Sequence, residues 1–153
     1  VSPALVAIAA GSNLGDRRGH LDWAFEQLAG HLSNLRTSAL LETEAFGVPD
    51  AQPSYLNAAA VGETSLAPDT LMQTLLDLER ARGRTRRGFR SARTLDLDLI
   101  FYGDLVLDTP ALVLPHPRFR ERRFVLAPLV ELVPEWRDPE TGKTVQELLA
   151  ALT

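Results

Sequence analysis

The segment RTLDLDLIFYGD, residues 93–104, alternates carboxylates with leucines inside an otherwise apolar run. A period of two is the signature of a strand. Residues two apart then share a face, about 6.5 to 7 Å from Cα to Cα, whereas on a helix they would diverge. Asp96 and Asp98 therefore point together, with Leu95, Leu97 and Leu99 on the reverse side. The aspartate face runs on into apolar Ile100, which argues against a plain solvated acidic strand. Two convergent carboxylates repel one another, and burying them is costly unless a cation compensates. A hard divalent ion with oxygen ligands is the usual solution, and magnesium is the expected one.

The chain has 153 residues, 45% of them hydrophobic, with no low-complexity tract. That suits one compact domain over residues 1–153 with a sizeable core. There is no cysteine, so a disulfide scaffold and a thiolate metal site are excluded, and a cytoplasmic location is expected. The stretch VSPALVAIAAGSN is too briefly apolar to span a membrane and has no basic residue before it, which argues against a secretory signal. A net charge of -4 disfavours a general nucleic-acid binder. Most arginines nevertheless fall in two clusters, RARGRTRRGFRSAR at 80–93 and RFRERR at 118–123, which in an acidic chain points to a local anion site.

The order of elements reads as strand, helix, strand, strand, helix, strand, with additions. ALVAIAA (Ala4 to Ala10) is a buried strand ended by the turn GSNLGD, and Leu21, Phe25, Leu28 and Leu32 recur at helical spacing before a stop near Gly30. LRTSALLETEAF and YLNAAAVGETS are strands either side of a loop containing Pro49 and Pro53. A second helix starts near Pro68, shows Leu71, Leu75 and Leu78 on one face and ends at Gly83. The aspartate strand follows, and Gly103-Asp104 is expected to turn it into a hairpin with LVL. FVLAPLVELV is helical, and Thr144 with Glu147 forms a capping-box pattern for a last helix, VQELLAAL. The expected fold class is α+β, a largely antiparallel sheet with helices packed on it.

Magnesium-binding carboxylates beside arginines that clamp phosphate oxygens form the recurrent apparatus of phosphoryl transfer. Arginine suits this because its planar fork binds phosphate bidentately. Arg93 adjoins the aspartate strand and is the strongest single candidate; most of the other arginines in its cluster read as solvated loop. No Walker loop is present, since GSNLGD lacks the lysine and spacing of that motif.

GSNLGD, QPSYLNAA, LERARGRTR, RTLDLDLIFYG, LPHPRFRERRFVLAPLVEL and the closing helix together make the chain resemble the 6-hydroxymethyl-7,8-dihydropterin pyrophosphokinase family over nearly its whole length. The resemblance implies a ferredoxin-like α-β plait and transfer of the pyrophosphoryl group of ATP to a pterin alcohol in folate biosynthesis. It implies two magnesium ions on Asp96 and Asp98, which with Arg84 and Arg93 would form the catalytic set. It assigns Thr43, Phe46, Tyr55, Asn57 and Phe124 to the pterin, and Glu79, Arg84, Arg86, Arg93, Leu99, His116 and Arg122 to ATP. A flat bicyclic pterin can stack between aromatic rings, and the Asn57 amide offers a donor and an acceptor to its edge. The expected partners are these small molecules, with no nucleic acid, no membrane and a monomeric protein.

Two stretches depart from the family pattern. Trp-Gly-Pro usually precedes the arginine equivalent to Arg93, where this chain has Arg90-Ser91-Ala92 after Phe89; and TEAFG stands where a proline commonly follows the threonine. The first departure is the only support for a second reading, a family member that binds nucleotide without turnover. A third reading, an RNA-binding plait, conflicts with two aspartates on the central strand. The arginine-rich segment from Arg84 to Ala92, with one large apolar side chain, is expected to be mobile when free and to close over magnesium-ATP.

Overall fold

The computed structural model describes residues 3–43, 54–83 and 94–152. In order, the elements are β1 (Ala4–Ser12), α1 (Arg17–Ala29), β2 (Ser33–Thr37), β3 (Leu41–Thr43), β4 (Tyr55–Thr64), α2 (Pro68–Ala81), β5 (Asp96–Tyr102), β6 (Leu107–Asp108), β7 (Val113–Leu114), a 3-10 turn (Phe119–Glu121), α3 (Arg123–Leu132) and α4 (Val145–Ala150). The main sheet has the order β2-β4-β1-β5, with β3 added to β4 and every paired neighbour antiparallel. This is the expected ferredoxin-like plait, an α+β fold.

Strand β1 is apolar up to its last residue, Ser12, because most of it is covered on both faces. Val6, Ile8 and Ala10 join a cluster with Leu21, Leu28, Leu71 and Leu75, beneath α1 and α2. Ala7 faces the other way, into a second cluster with Val125, Leu126, Leu129, Val145 and Leu148 from α3 and α4. Local signals set the helix ends. The Asp16 carboxylate accepts from Gly19 N–H at 3.1 Å, Pro68 opens α2, and Thr144 and Glu147 close a reciprocal capping box on α4. Gly83, just past α2, has φ +92°, a conformation natural only to glycine.

Two expectations are corrected. LRTSALLETEAF is not one strand: β2 and β3 are separate, both on β4. At the break, Ser38 Oγ accepts from Ala59 N–H at 2.9 Å and donates to the Ala39 carbonyl at 2.9 Å, so a side chain replaces a rung of the ladder. The hairpin after Gly103 also fails. Strand β6 pairs with β7 instead of β5. The outward-facing groups of β5 are already bonded, Leu97 N–H to the Glu79 carboxylate at 2.7 Å and the Ile100 carbonyl to His116 N–H at 3.0 Å.

Strand β5 carries one irregularity. Ile8 pairs with Leu99 and Ala7 with Phe101, which leaves Ile100 as the extra residue of a β-bulge. Ile100 and Phe101 therefore both enter the second cluster. There Phe101 meets Phe119 edge-on at 4.9 Å and stacks on Trp136 at 5.0 Å, which seats the 3-10 turn on the sheet.

Candidate active site

The site is a row of residues running across four strands, β5, β1, β4 and β3. Asp96 lies opposite Gly11, Gly11 opposite Asn57, and Asn57 opposite Leu41; one step along, Asp98 lies opposite Ala9. Side chains in register on neighbouring strands share a face, so Asp96, Asp98, Asn57 and Tyr55 converge over a floor of Ala9 and Gly11. The smallness of that floor matters. A Cβ on Gly11 would lie 3.2 Å from Asn57 Oδ1. Arg118, Arg122, Arg123 and Phe124, from the 3-10 turn and the start of α3, complete a cavity of about 830 Å³ that also holds Thr43.

Three polar side chains in and beside the cavity, those of Asn57, Tyr55 and His116, are held in a definite state. Asn57 Nδ2 donates to Thr43 Oγ1 at 2.8 Å, which fixes the amide with Oδ1 beside Gly11. Burial raises the Tyr55 pKa, and the neighbouring Asp96 charge raises it further, so the phenol stays protonated. For His116 burial lowers the pKa; Asp98 pulls it up, while Arg122 and Arg118 push it down, and the net direction is down. His116 Nδ1 accepts from Arg118 N–H at 3.2 Å, so the neutral ring carries its hydrogen on Nε2. The Arg122 guanidinium lies 5.6 Å from the centroid of the Phe124 ring, close enough for a cation–π contact.

Two sequence-assigned residues lie on the other side of β5. Glu79 is buried and holds Leu97 N–H, the amide between the two aspartates. Leu99 is buried in the cluster beneath α1 and α2. Phe46, Arg84, Arg86 and Arg93 lie outside the described residues, as does the expected lid from Arg84 to Ala92. The residues that sequence reasoning missed are Gly11, Arg17, Arg118 and Arg123. Arg17 Nη1 bonds the Glu42 carboxylate at 2.9 Å and the Ser54 carbonyl at 2.5 Å, which ties the start of α1 to β3 and to the residue before Tyr55. By sequence Gly11 is the first residue of the turn GSNLGD, but β1 runs on to Ser12, so this glycine lies inside the strand, where it marks close backbone approach.

The donor set fits a hard divalent cation. Among the described residues no group of three or more His, Asp and Glu side chains could hold an ion alone. Two carboxylates on one face match magnesium, which takes one or two protein carboxylates and completes its shell with water and substrate phosphates. No helix among the described residues is long and apolar enough to cross a membrane.

A family model described as 7,8-dihydro-6-hydroxymethylpterin-pyrophosphokinase matches residues 7–134. A Synechocystis protein named 2-amino-4-hydroxy-6-hydroxymethyldihydropteridine pyrophosphokinase is 42% identical over 144 residues, which is 93% of this chain and 73% of that one. The Pseudomonas aeruginosa protein of the same name is 39% identical over 149 residues, 95% of this chain and 90% of its own length. A folate synthesis bifunctional protein of Arabidopsis thaliana is 44% identical over 130 residues, 84% of this chain and 27% of that protein. Among solved structures, an HPPK-DHPS protein in complex with substrates superposes with a TM-score of 0.75 at 11% identity, covering 97% of this chain and 43% of that one. Wild-type Plasmodium falciparum HPPK-DHPS with pteroate gives 0.73 at 12% identity, with 97% and 42% coverage. The chain thus spans less than half of these solved chains, and at such identities the likeness is one of fold.

Proposed function

The chain belongs to the 7,8-dihydro-6-hydroxymethylpterin-pyrophosphokinase family, a family of transferases of folate biosynthesis, and on that premise we propose that it moves the pyrophosphoryl group of ATP to the hydroxymethyl oxygen of 6-hydroxymethyl-7,8-dihydropterin. The hydroxymethyl oxygen attacks the β-phosphorus in line. The bond from that phosphorus to the α–β bridging oxygen breaks, AMP leaves with the electron pair, and the hydroxyl proton is lost. The single observation that carries this reading is the convergence of Asp96 and Asp98 with Tyr55, Asn57, Phe124 and Arg122 on one cavity.

The chain's own residues supply positioning and electrostatics. Tyr55 and Phe124 offer aromatic faces to the pterin, while Asn57, held by Thr43, reads its polar edge. His116, neutral near neutral pH, donates from Nε2 to a phosphate oxygen and has no need to act as a base. Arg122 binds phosphate within reach of the Phe124 ring, so both substrates are held through neighbouring side chains. Asp96 and Asp98 would hold two magnesium ions, which would neutralise charge on the bridging and non-bridging phosphate oxygens. Glu79, through Leu97 N–H, steadies the strand that carries both aspartates.

The test is incubation with magnesium-ATP and the pterin alcohol, followed by chromatography. AMP and the pterin diphosphate are expected. ADP with a pterin monophosphate would mean an ordinary kinase, and nucleotide binding without product would favour the non-catalytic reading.

A further inference from the structure

The segment from Arg118 to Arg123 carries more positive charge than the proposed reaction uses. Arg120 is turned away from the cavity and bound to buried Asp138. Arg122 is assigned to ATP. Arg118 and Arg123 remain, and both line the cavity that holds Asp96 and Asp98. Arg123 makes no hydrogen bond or ion pair among the described residues, and Arg118 has only a 3.9 Å contact with Glu121 in which the two side chains are 69% and 75% exposed. Such a solvated pair holds a guanidinium weakly. Arg118 and Arg122 both depress the His116 pKa, as cations close to the imidazole do.

Three guanidiniums within six residues repel one another unless an anion lies between them. The carboxylates of the cavity are a poor answer, since they are the candidate magnesium ligands. We infer that Arg118 and Arg123 form a subsite for the diphosphate arm of the pterin product, gripping its terminal phosphate while the ring stays between Tyr55 and Phe124. The inference rests on the pyrophosphokinase reading and extends it to product retention. Its ligand class is an aromatic alcohol esterified with diphosphate, a trianion near neutral pH. Guanidinium forks match phosphate oxygens in pairs, and these exposed arginines have few protein contacts to give up in meeting them, so the gain is set against the rotamer entropy of ordering them.

The test is equilibrium titration of pterin fluorescence with magnesium and no nucleotide, using the pterin alcohol and its diphosphate as separate probes. Wild type is expected to bind the diphosphate more tightly than the alcohol. Arg118→Gln and Arg123→Gln should each weaken the diphosphate about tenfold and leave the alcohol within about twofold. Arg123→Lys should recover part of the loss, and added salt should narrow the gap between wild type and variants. Urea unfolding should be unchanged, because both side chains are exposed. Equal weakening of both probes, or an unaltered diphosphate affinity in the double variant, overturns the subsite. A wild-type protein that binds neither pterin overturns the pyrophosphokinase reading itself, and the subsite with it.

Discussion

Two Arg–Asp groupings lie close together in this molecule and are opposite in kind. At the first, Arg120 grips Asp138 with a bidentate pair at 2.5 and 2.9 Å; the carboxylate is fully buried and also accepts from Thr141 Oγ1 at 2.7 Å and Glu140 N–H at 3.0 Å. Two residues further on, Arg122 and Arg123 face the cavity of Asp98, and among the described residues none of the three side chains forms an ion pair or hydrogen bond. The first grouping satisfies its charges internally, so it serves the fold. The second leaves charges open in a cleft, an arrangement that lowers stability unless a ligand completes it. Identical residue types in one short segment thus divide between structure and function according to whether their partners are built in.

The largest expected effect breaks the open grouping. Asp96→Ala or Asp98→Ala should lower turnover by about a thousandfold or more, as removal of an essential electrostatic group does, while the urea midpoint moves little. Near-native activity in either variant at saturating magnesium would place the ions elsewhere.

Breaking the closed grouping should do the reverse. Asp138→Ala strips Arg120 of its buried bidentate partner, leaving it only the exposed Glu140 carboxylate at 3.1 Å, and is expected to cost about 3 kcal/mol of stability by urea unfolding, with the folded fraction still binding pterin. The linkage sign is fixed by the depressed Asp138 pKa: burial opposes ionisation, but the bonds from Arg120, Thr141 and Glu140 outweigh it. The pair's contribution is therefore fully present above the ordinary carboxylate range and is lost as pH falls through and below it. Asp138→Asn should flatten that acid limb; an acid profile identical to wild type would show that the pair carries no pH-dependent stability.

Smaller still is the effect of filling the cavity floor. Gly11→Ala sets a methyl 3.2 Å from Asn57 Oδ1, and the displaced amide should raise the pterin Kd roughly tenfold. Unchanged affinity would show that Asn57 has room to move. The smallest effect lies outside both groupings, at the start of α4. Thr144→Ala removes the α4 capping box and should cost about 1 kcal/mol with catalysis intact.

Much of the fold was legible because its signals are local. The period-two run around Asp96 and Asp98, Pro68 at the start of α2, Gly83 past its end and the Thr144–Glu147 box each act within a few residues, so the chain carries them wherever it goes. The break at Ser38 was not legible, since it depends on an amide of β4 that is distant in sequence. The missed pairing of β6 has the same cause: Glu79 and His116, from opposite sides in sequence, had already taken the outward-facing groups of β5.

That two carboxylates share a strand face and that arginines crowd close by follows from alternation and composition alone, which need no knowledge of neighbours. Which arginine serves which purpose was decided only by the tertiary structure. The bulge at Ile100 brings Phe101 to Phe119 and the Ile100 carbonyl to His116. From that seating, Arg120 meets Asp138 while Arg118, Arg122 and Arg123 line the cavity. An ion pair or a close approach such as Gly11 to Asn57 is a relation between distant segments, and its energy exists only once packing has fixed the distance between them.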